Sequence, residues 1–386
     1  MLKQNATKPL KIGIVLDTSL DPPDGVQQYV MSVGEWLRAH GHDVHYIVGQ
    51  STRTDLQNVH SLAKNIGVRF NGNRTTIPLP TSKRKLRTFL KQQQFDVLHV
   101  QTPHSPFFAQ RLICTSSPQT AVVATFHVLP DGILPFVGNY LLGWWLRPSL
   151  RRIDQLLSVS PAAAVFARQT FGVDSKVLPN VFNYRLFNTA EALPAYANQK
   201  KLTILFLGRL VPRKGCRYLL EAIAKLDRAA LPPFRLVICG KGPLLLQLQD
   251  FVKQHDLTEV VEFAGFVSEA DKPRYYASAD IAVFPSTGGE SFGIVLIEAM
   301  ASGRAAVLAG NNPGYASVMQ PQPELLFAPE DTAGLAGRLS ELLQDSAKRQ
   351  QFASWGRDYT KRFDIEVVGP QLVTLYAELL EAKNVQ

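Results

Sequence analysis

Little in this chain could staple it, carry it through a bilayer or export it. Only three of its 386 residues are cysteine, namely Cys114, Cys216 and Cys239, and they form neither a CxxC pair nor an even framework. Their apolar or small neighbours mark all three as buried free thiols, which suits a reducing cytoplasm. No run reaches the roughly eighteen uninterrupted apolar residues that a membrane span needs. The nearest, Ile133 to Leu146, is broken by Pro135 and Gly138 and closed by Arg147. It reads either as buried core or, through Tyr140, Trp144 and Trp145, as a surface that dips into a bilayer. Before Asp17 the N-terminus has only a short apolar run, a first strand and not a signal peptide. DxD-type acids and His/Cys clusters are absent, so no cofactor and no obligatory metal is expected. The one basic run carries a single aromatic, Phe89, where a nucleic-acid surface interleaves several stacking platforms. No nucleic acid is expected as a partner.

What is present describes a globular protein of two domains. Hydrophobic residues make up 46% and charged residues 19%. The formal charge of +9 favours anionic partners such as nucleotide phosphates or an acidic membrane surface. Short, almost wholly apolar runs suit parallel strands buried on both faces. In the first half they are Lys11–Leu16, Val44–Val48, Val97–Val100, Ala121–Thr125 and Leu156–Val159; in the second, Leu202–Leu207, Arg235–Cys239, Ile281–Phe284 and Ala305–Leu308. Helical patterns such as Val26–His40, Cys216–Asp227 and Ile294–Ser302 separate them. The order βαβα predicts an α/β fold with parallel sheets, as two Rossmann-like domains facing a central cleft. The domains are expected over 1–187 and 200–362, with the polar stretch 180–200 as linker and a helix over 363–386 packing back on the first.

Four loops carry candidate chemistry. In Asp21-Pro22-Pro23-Asp24-Gly25 a glycine opens a helix, where a phosphate could meet free N–H groups; a plain strand-to-helix turn is the alternative. Gly208-Arg209 and Arg213-Lys214-Gly215 follow a strand, and two cations beside a helix N-terminus suit a pyrophosphate. Gly240-Lys241-Gly242-Pro243 follows the next strand and reads equally as a nucleoside contact or a tight turn. The segment Gly288–Gly303 (GGESFGIVLIEAMASG) holds Glu290 in a glycine-rich loop and Glu298 inside a helix that Ser291 is expected to cap. Its N–H groups at Ser291, Phe292 and Gly293 could grip sugar hydroxyls or a phosphate; alternatively Glu298 pairs with a nearby cation. Between residues 82 and 91, Lys83, Arg84, Lys85 and Arg87 oppose Leu86, Phe89 and Leu90 at helical spacing. That is either a membrane-surface helix or an ordinary helix with its apolar stripe turned inward.

GGESFGIVLIEAMASG resembles the E-x7-E element of the family 4 retaining glycosyltransferases, and GRLVPRKG resembles their donor-phosphate element. The resemblance continues through KIGIVLD, DGVQQYV, FDVLHV, ATFH, LPNVF and ADIAVFPS, and is strongest to the bacterial phosphatidylinositol mannosyltransferases. It implies a GT-B fold and transfer of a sugar, mannose from GDP-mannose above all, to a membrane lipid at the inner membrane face. Arg209 and Lys214 would neutralise the donor diphosphate. Glu290, with the amides of Phe292 and Gly293, would hold the sugar. Glu298 would bind the ribose, and Gly208, Gly240, Phe266, Val267, Ser291 and Ile294 would line the donor. Gly25 would approach the diphosphate from the other domain, and His127 would lie over the anomeric centre. Gln27, Phe70, Asn71 and Arg74 would meet the acceptor, and Lys83, Arg84, Lys85, Arg87 and Phe89 the membrane. No second acid stands beside the expected anomeric site, so catalysis would rest on positioning and charge rather than on a carboxylate nucleophile.

The acceptor positions depart from the family pattern. Phe70 stands for a tyrosine and Thr76 for an arginine, Val128 and Gly132 replace a polar and a basic residue, and Asp24 replaces a glycine. The headgroup therefore stays open between phosphatidylinositol, diacylglycerol and a glycolipid. A soluble UDP-sugar-dependent transferase with a small or polysaccharide acceptor, and a nucleotide- or nucleic-acid-binding protein without turnover, are the other readings.

Overall fold

The computed structural model describes residues 8–385, apart from 22–23, 71–72, 102, 106, 128–144 and 198–199. Asn71 and most of the apolar stretch 133–146 therefore lie outside the described residues, as do Val128 and Gly132. Two compact units result: 1–181 with 365–386, and 182–364.

The first unit is built on strands β1 (Lys11–Leu16), β2 (Asp43–Val48) and β3 (Val59–Ser61), a separate hairpin of β4 (Asn65–Phe70) and β5 (Asn73–Pro78), then β6 (Val97–Val100), β7 (Ala121–Phe126), β8 (Gln155–Ser158) and β9 (Lys176–Val177). Seven of them form one sheet in the order β3-β2-β1-β6-β7-β8-β9, every pairing parallel. Its central strands are buried on both faces, so each face has its own apolar core. The helix Ile365–Asn384 completes one of these cores with Ile365, Val368, Leu372, Leu375 and Tyr376. Gly369 lets it settle on the Trp36 indole, because a Cβ there would lie 2.7 Å from the ring.

The second unit holds β10 (Leu202–Leu207), β11 (Phe234–Cys239), β12 (Val261–Gly265), β13 (Ile281–Phe284), β14 (Ala306–Gly310) and β15 (Leu326–Phe327). Their order is β12-β11-β10-β13-β14-β15, again all parallel. In both sheets the strand order reverses beside the first strand, between β1 and β6 and between β10 and β13. Ligands of open α/β sheets sit beyond the carboxyl ends of strands at such reversals. The loops that follow β1, β6, β10 and β13 therefore stand at the binding ends of the two sheets.

Three expectations change. Residues 182–197 are part of the second unit and not a bare connection: helix Tyr184–Asn188 buries Phe187 beside Tyr276, and the Leu193 amide donates to Ser278. Cys114 is exposed, unlike Cys216 and Cys239, because Ala109, Leu112 and Ile113 form the inward face of its helix. The helix after Glu290 begins at Ile294, preceded by Gly293 at φ 105°, so Ser291 is not its cap.

Candidate functional site

The loops after β10 and β13 meet around Glu290. Pro212–Lys214 form one turn of 3-10 helix, and Gly215 leaves it at φ 70°. Only glycine fits there, since a Cβ would stand 1.9 Å from the Pro285 carbonyl oxygen. This close approach sets Arg213 and Lys214 against the second loop. Arg213 Nη1 donates to Glu290 Oε1 at 2.7 Å, Lys214 Nζ at 2.8 Å and the Ser286 hydroxyl at 2.9 Å. All three converge on one oxygen, and Oε2 has no protein partner among the described residues. Gly314 packs under the Glu290 carbonyl, where a Cβ would come within 1.9 Å.

The charge here is unbalanced. Burial pushes the Glu290 carboxyl up, but Lys214 and Arg213 outweigh it and hold the group below its ordinary value. Burial lowers the Lys214 amine; Glu290 opposes this, while Arg213 and Arg209 add to it. Two cations, Arg213 and Lys214, share the one carboxylate, which leaves an excess of positive charge for an anion to neutralise. The wall beside it is backbone: Gly240, at φ 150°, packs on Gly208, where a Cβ would lie 1.9 Å from its carbonyl oxygen. The Gly240 amide donates to Gly265, and the next residue, Phe266, is 56% exposed with Lys241 Nζ 5.3 Å above its ring. Such a ring can stack on a base. Val267 follows the carboxyl end of β12 and Ile294 opens the helix Ile294–Ala301, and both are half-buried.

Glu298 is placed differently. Its carboxylate is buried, Oε1 receives Lys272 Nζ at 2.7 Å, and Oε2 receives the Tyr276 hydroxyl at 3.3 Å. Lys272 also reaches Glu269 at 2.6 Å. Pairing with a nearby cation, the plainer of the two expectations for Glu298, is what the geometry displays. Lys272 went unforeseen, although a glutamate inside the apolar helix Ile294–Ala301 calls for a buried cation. Arg213 as direct partner of Glu290, and Ser286 beside it, also went unforeseen.

In the first unit His127 follows β7, and Gln101 follows β6 on the neighbouring strand. The Gln101 amide nitrogen faces the His99 carbonyl at 3.3 Å, so its oxygen accepts from His127 Nε2 at 2.8 Å. Burial, with His99 and His104 nearby, lowers the His127 pKa to about 3. The ring is thus neutral with its proton on Nε2, and it packs edge-on against Tyr29 at 4.8 Å. His99 ties this group to the C-terminal helix through Thr125 at 2.7 Å and the Tyr376 hydroxyl at 2.8 Å. Gly25 is the exposed first residue of helix Gly25–Ala39. Gln27 is buried, its amide nitrogen spent on the Ser19 carbonyl at 3.0 Å. Phe70 and Arg74 are backbone positions in the hairpin, paired with Asn73 and Arg69.

The basic helix spans Lys83–Gln93. Lys83, Arg84, Lys85 and Arg87 are exposed. Phe89, expected at the membrane, instead packs inward, edge-on to His60 at 4.9 Å and near Phe95 at 6.0 Å, with Leu86 fully buried beside it. The exposed apolar side chains lie just ahead of the helix. Ile66 (47% exposed) and Ile77 (37%) are cross-strand partners on the hairpin, and Leu79 (43%) follows. Among the described residues no helix is long and apolar enough to cross a membrane, and no group of His, Cys, Asp or Glu is placed to hold a metal ion.

Comparison with known proteins gives the arrangement its family. The family model described as "Glycosyltransferase Family 4" matches residues 23–184, and "Glycosyl transferases group 1" matches 191–359. The phosphatidyl-myo-inositol mannosyltransferase of Mycolicibacterium smegmatis is 32% identical over 373 residues, 95% of this chain and 93% of the relative. A GDP-mannose-dependent monoacylated alpha-(1-6)-phosphatidylinositol monomannoside mannosyltransferase of Corynebacterium glutamicum is 26% identical over 78% of this chain and 81% of its own length. Among solved structures, HepE of Anabaena in complex with UDP and glucose superposes with a TM-score of 0.74 over 96% of this chain and 100% of its own, at 18% identity. That likeness extends the shared fold to both units. The chain is a GT-B glycosyltransferase that belongs to family 4, in one group with the phosphatidyl-myo-inositol mannosyltransferases.

Proposed function

We propose that the protein transfers mannose from GDP-mannose, with retention, to an inositol phospholipid at an anionic membrane surface, where it acts peripherally on the cytoplasmic face. The observation that carries this reading is the Glu290 carboxylate. Arg213, Lys214 and Ser286 fix it through one oxygen, and Oε2 is left to accept from a sugar hydroxyl. Arg209 and Lys214 meet the donor diphosphate, whose charge rises as the bond to the anomeric carbon breaks. The acceptor hydroxyl forms the new bond from the same face, and its proton passes to the departing phosphate oxygen. Burial holds His127 at a pKa of about 3, too low for a general base at neutral pH, and its Nε2 proton is committed to Gln101. The scheme requires no metal, because the cations already stand where charge develops.

Calorimetric titration with GDP, GDP-mannose, UDP and UDP-glucose tests the donor. Binding of the guanine pair alone is expected. Binding of the uracil pair alone would retain the transferase and refute the mannosyl assignment.

For the membrane, the exposed cations of Lys83–Gln93 and the apolar Ile66, Ile77 and Leu79 supply the two forces that peripheral binding uses. Changing Lys83, Arg84, Lys85 and Arg87 to glutamine should weaken binding to phosphatidylinositol-containing vesicles by roughly a hundredfold or more, at about 1 kcal/mol per cation. The loss should shrink as salt is raised. Ile66→Ser with Ile77→Ser should instead remove the salt-resistant part. Vesicle co-sedimentation that neither change reduces would refute the docking face.

A further inference from the structure

We infer that the second unit carries another anion site, at the end of its sheet opposite the Glu290 loops, that takes a ligand bearing two or more phosphate groups. A cavity of about 770 Å³ opens there. Lys200, Lys201, Arg304, Arg349 and Arg357 line it, with Asp280 as the lining carboxylate. Lys201 and Asp280 immediately precede β10 and β13, and Arg304 comes just before β14. The cavity therefore sits at the amino ends of the strands whose carboxyl ends carry the donor loops. A six-residue strand, at about 3.3 Å per residue, puts roughly 20 Å between the two places.

Two features make this more than a cationic surface. First, the charge is left uncompensated. Asp280 is spent on the Thr203 amide at 2.7 Å, and among the described residues no carboxylate pairs with Lys200, Lys201 or Arg304. Among the described residues Arg357 pairs with Asp358 alone, 3.8 Å away and more than half exposed. Gathering five cations around one cavity is unfavourable until an anion joins them.

Second, the shape is that of a trough. The helix Ser346–Thr360 turns Arg349, Ala353 and Arg357 to the cavity, and the small Ala353 makes its floor between the two arginines. Eight helical residues span about 12 Å, longer than a single phosphate. Gly303 leaves room for the far arginine, since a Cβ there would lie 2.8 Å from Arg357 Cδ. Arg349 Nη1 is held by the Leu342 and Leu343 carbonyls, which leaves its other N–H groups, with the Arg357 guanidinium at the far end, to meet a chain of phosphates or two neighbouring phospholipid headgroups.

The test uses the full chain at low ionic strength and keeps the donor loops out of the measurement. Inorganic tripolyphosphate is titrated into Lys214→Ala protein by calorimetry, alone and with Arg304→Gln and Arg357→Gln added. In parallel, phosphatidylglycerol and phosphatidylcholine vesicles are sedimented with protein in which Lys83, Arg84, Lys85 and Arg87 are glutamine, with and without the same two changes. A tenfold or greater weakening of tripolyphosphate binding would establish the site for soluble polyphosphates. The same loss confined to phosphatidylglycerol vesicles would establish it for lipid headgroups. If Arg304→Gln and Arg357→Gln alter neither, the proposal is overturned. GDP binding by the wild-type protein, measured alongside, reports on the donor loops independently. Both arginines are exposed, so the variants should melt as the parent does.

Discussion

Lys214→Ala is expected to lower the turnover of sugar transfer by about a hundred- to a thousandfold, the range for removing one preorganised group that meets developing charge. The Lys214 amine is flanked by Arg213 and Arg209 and compensated by Glu290 alone. A diphosphate gains negative charge as it departs, so this cation interacts more strongly with the transition state than with the bound donor. The loss should therefore appear mainly in kcat and less in the donor's KM. Folding should be almost unaffected, because Arg213 and Ser286 still hold Glu290 Oε1. Initial rates over a range of donor concentrations, set beside a thermal melt, give the answer. An unchanged kcat would remove Lys214 from the chemistry, and a large fall in melting temperature would mark it as structural.

The residues that sequence reasoning reached and those it missed differ in a physical way. Strands β1, β6, β7, β10, β13 and β14 are legible because burial on both faces makes each a nearly unbroken apolar run. Strands β3, β9 and β15 have two or three residues, and the hairpin β4–β5 stands apart from both large sheets, so nothing imposes a pattern on them. The donor loops are legible through their glycines, since Gly215, Gly240 and Gly293 hold backbone shapes that other residues resist. Helical spacing revealed the apolar stripe of Lys83–Gln93 but not its direction, because period alone is the same whether Phe89 meets a bilayer or His60. Ser291 has the chemistry of a cap. The helix nevertheless starts after Gly293, whose backbone shape and closeness to the Tyr315 ring only a glycine allows. Lys272 and Gln101 were hidden for a third reason: each finds its partner 26 positions away, on another element.

Lys272→Met should cost the second unit about 3–5 kcal/mol at neutral pH, the usual penalty for stranding a buried partner charge. In a unit of this size each kcal/mol lowers the melting temperature by roughly 2–4 °C. Methionine keeps the apolar stem in place, so the missing ammonium accounts for the loss. Burial already holds the Glu298 carboxyl above its ordinary value of 4.5, with Lys272 pulling against it. Without the lysine, the folded-state value rises further. Below about pH 4.5 the carboxyl is protonated in both folded and unfolded chains, so the missing cation matters least there. As pH rises through the gap between the two pKa values, the unfolded chain releases its proton and the folded one retains it. Stability then falls with rising pH. Because the wild-type carboxyl is itself held above 4.5 when folded, melting temperatures of variant and wild type should diverge only as pH passes that raised value towards neutrality; a deficit that does not change with pH would mean that lost packing is the cause. Adding Glu298→Leu should recover most of the stability, since apolar residues of similar size often replace a buried pair without loss. The recovered double variant then separates the two roles open to Glu298. If it binds GDP as the wild type does, Glu298 serves only as the counter-charge of Lys272. If it is stable yet binds GDP more weakly, one of the carboxylate's remaining lone pairs reaches the ribose once the donor is in place.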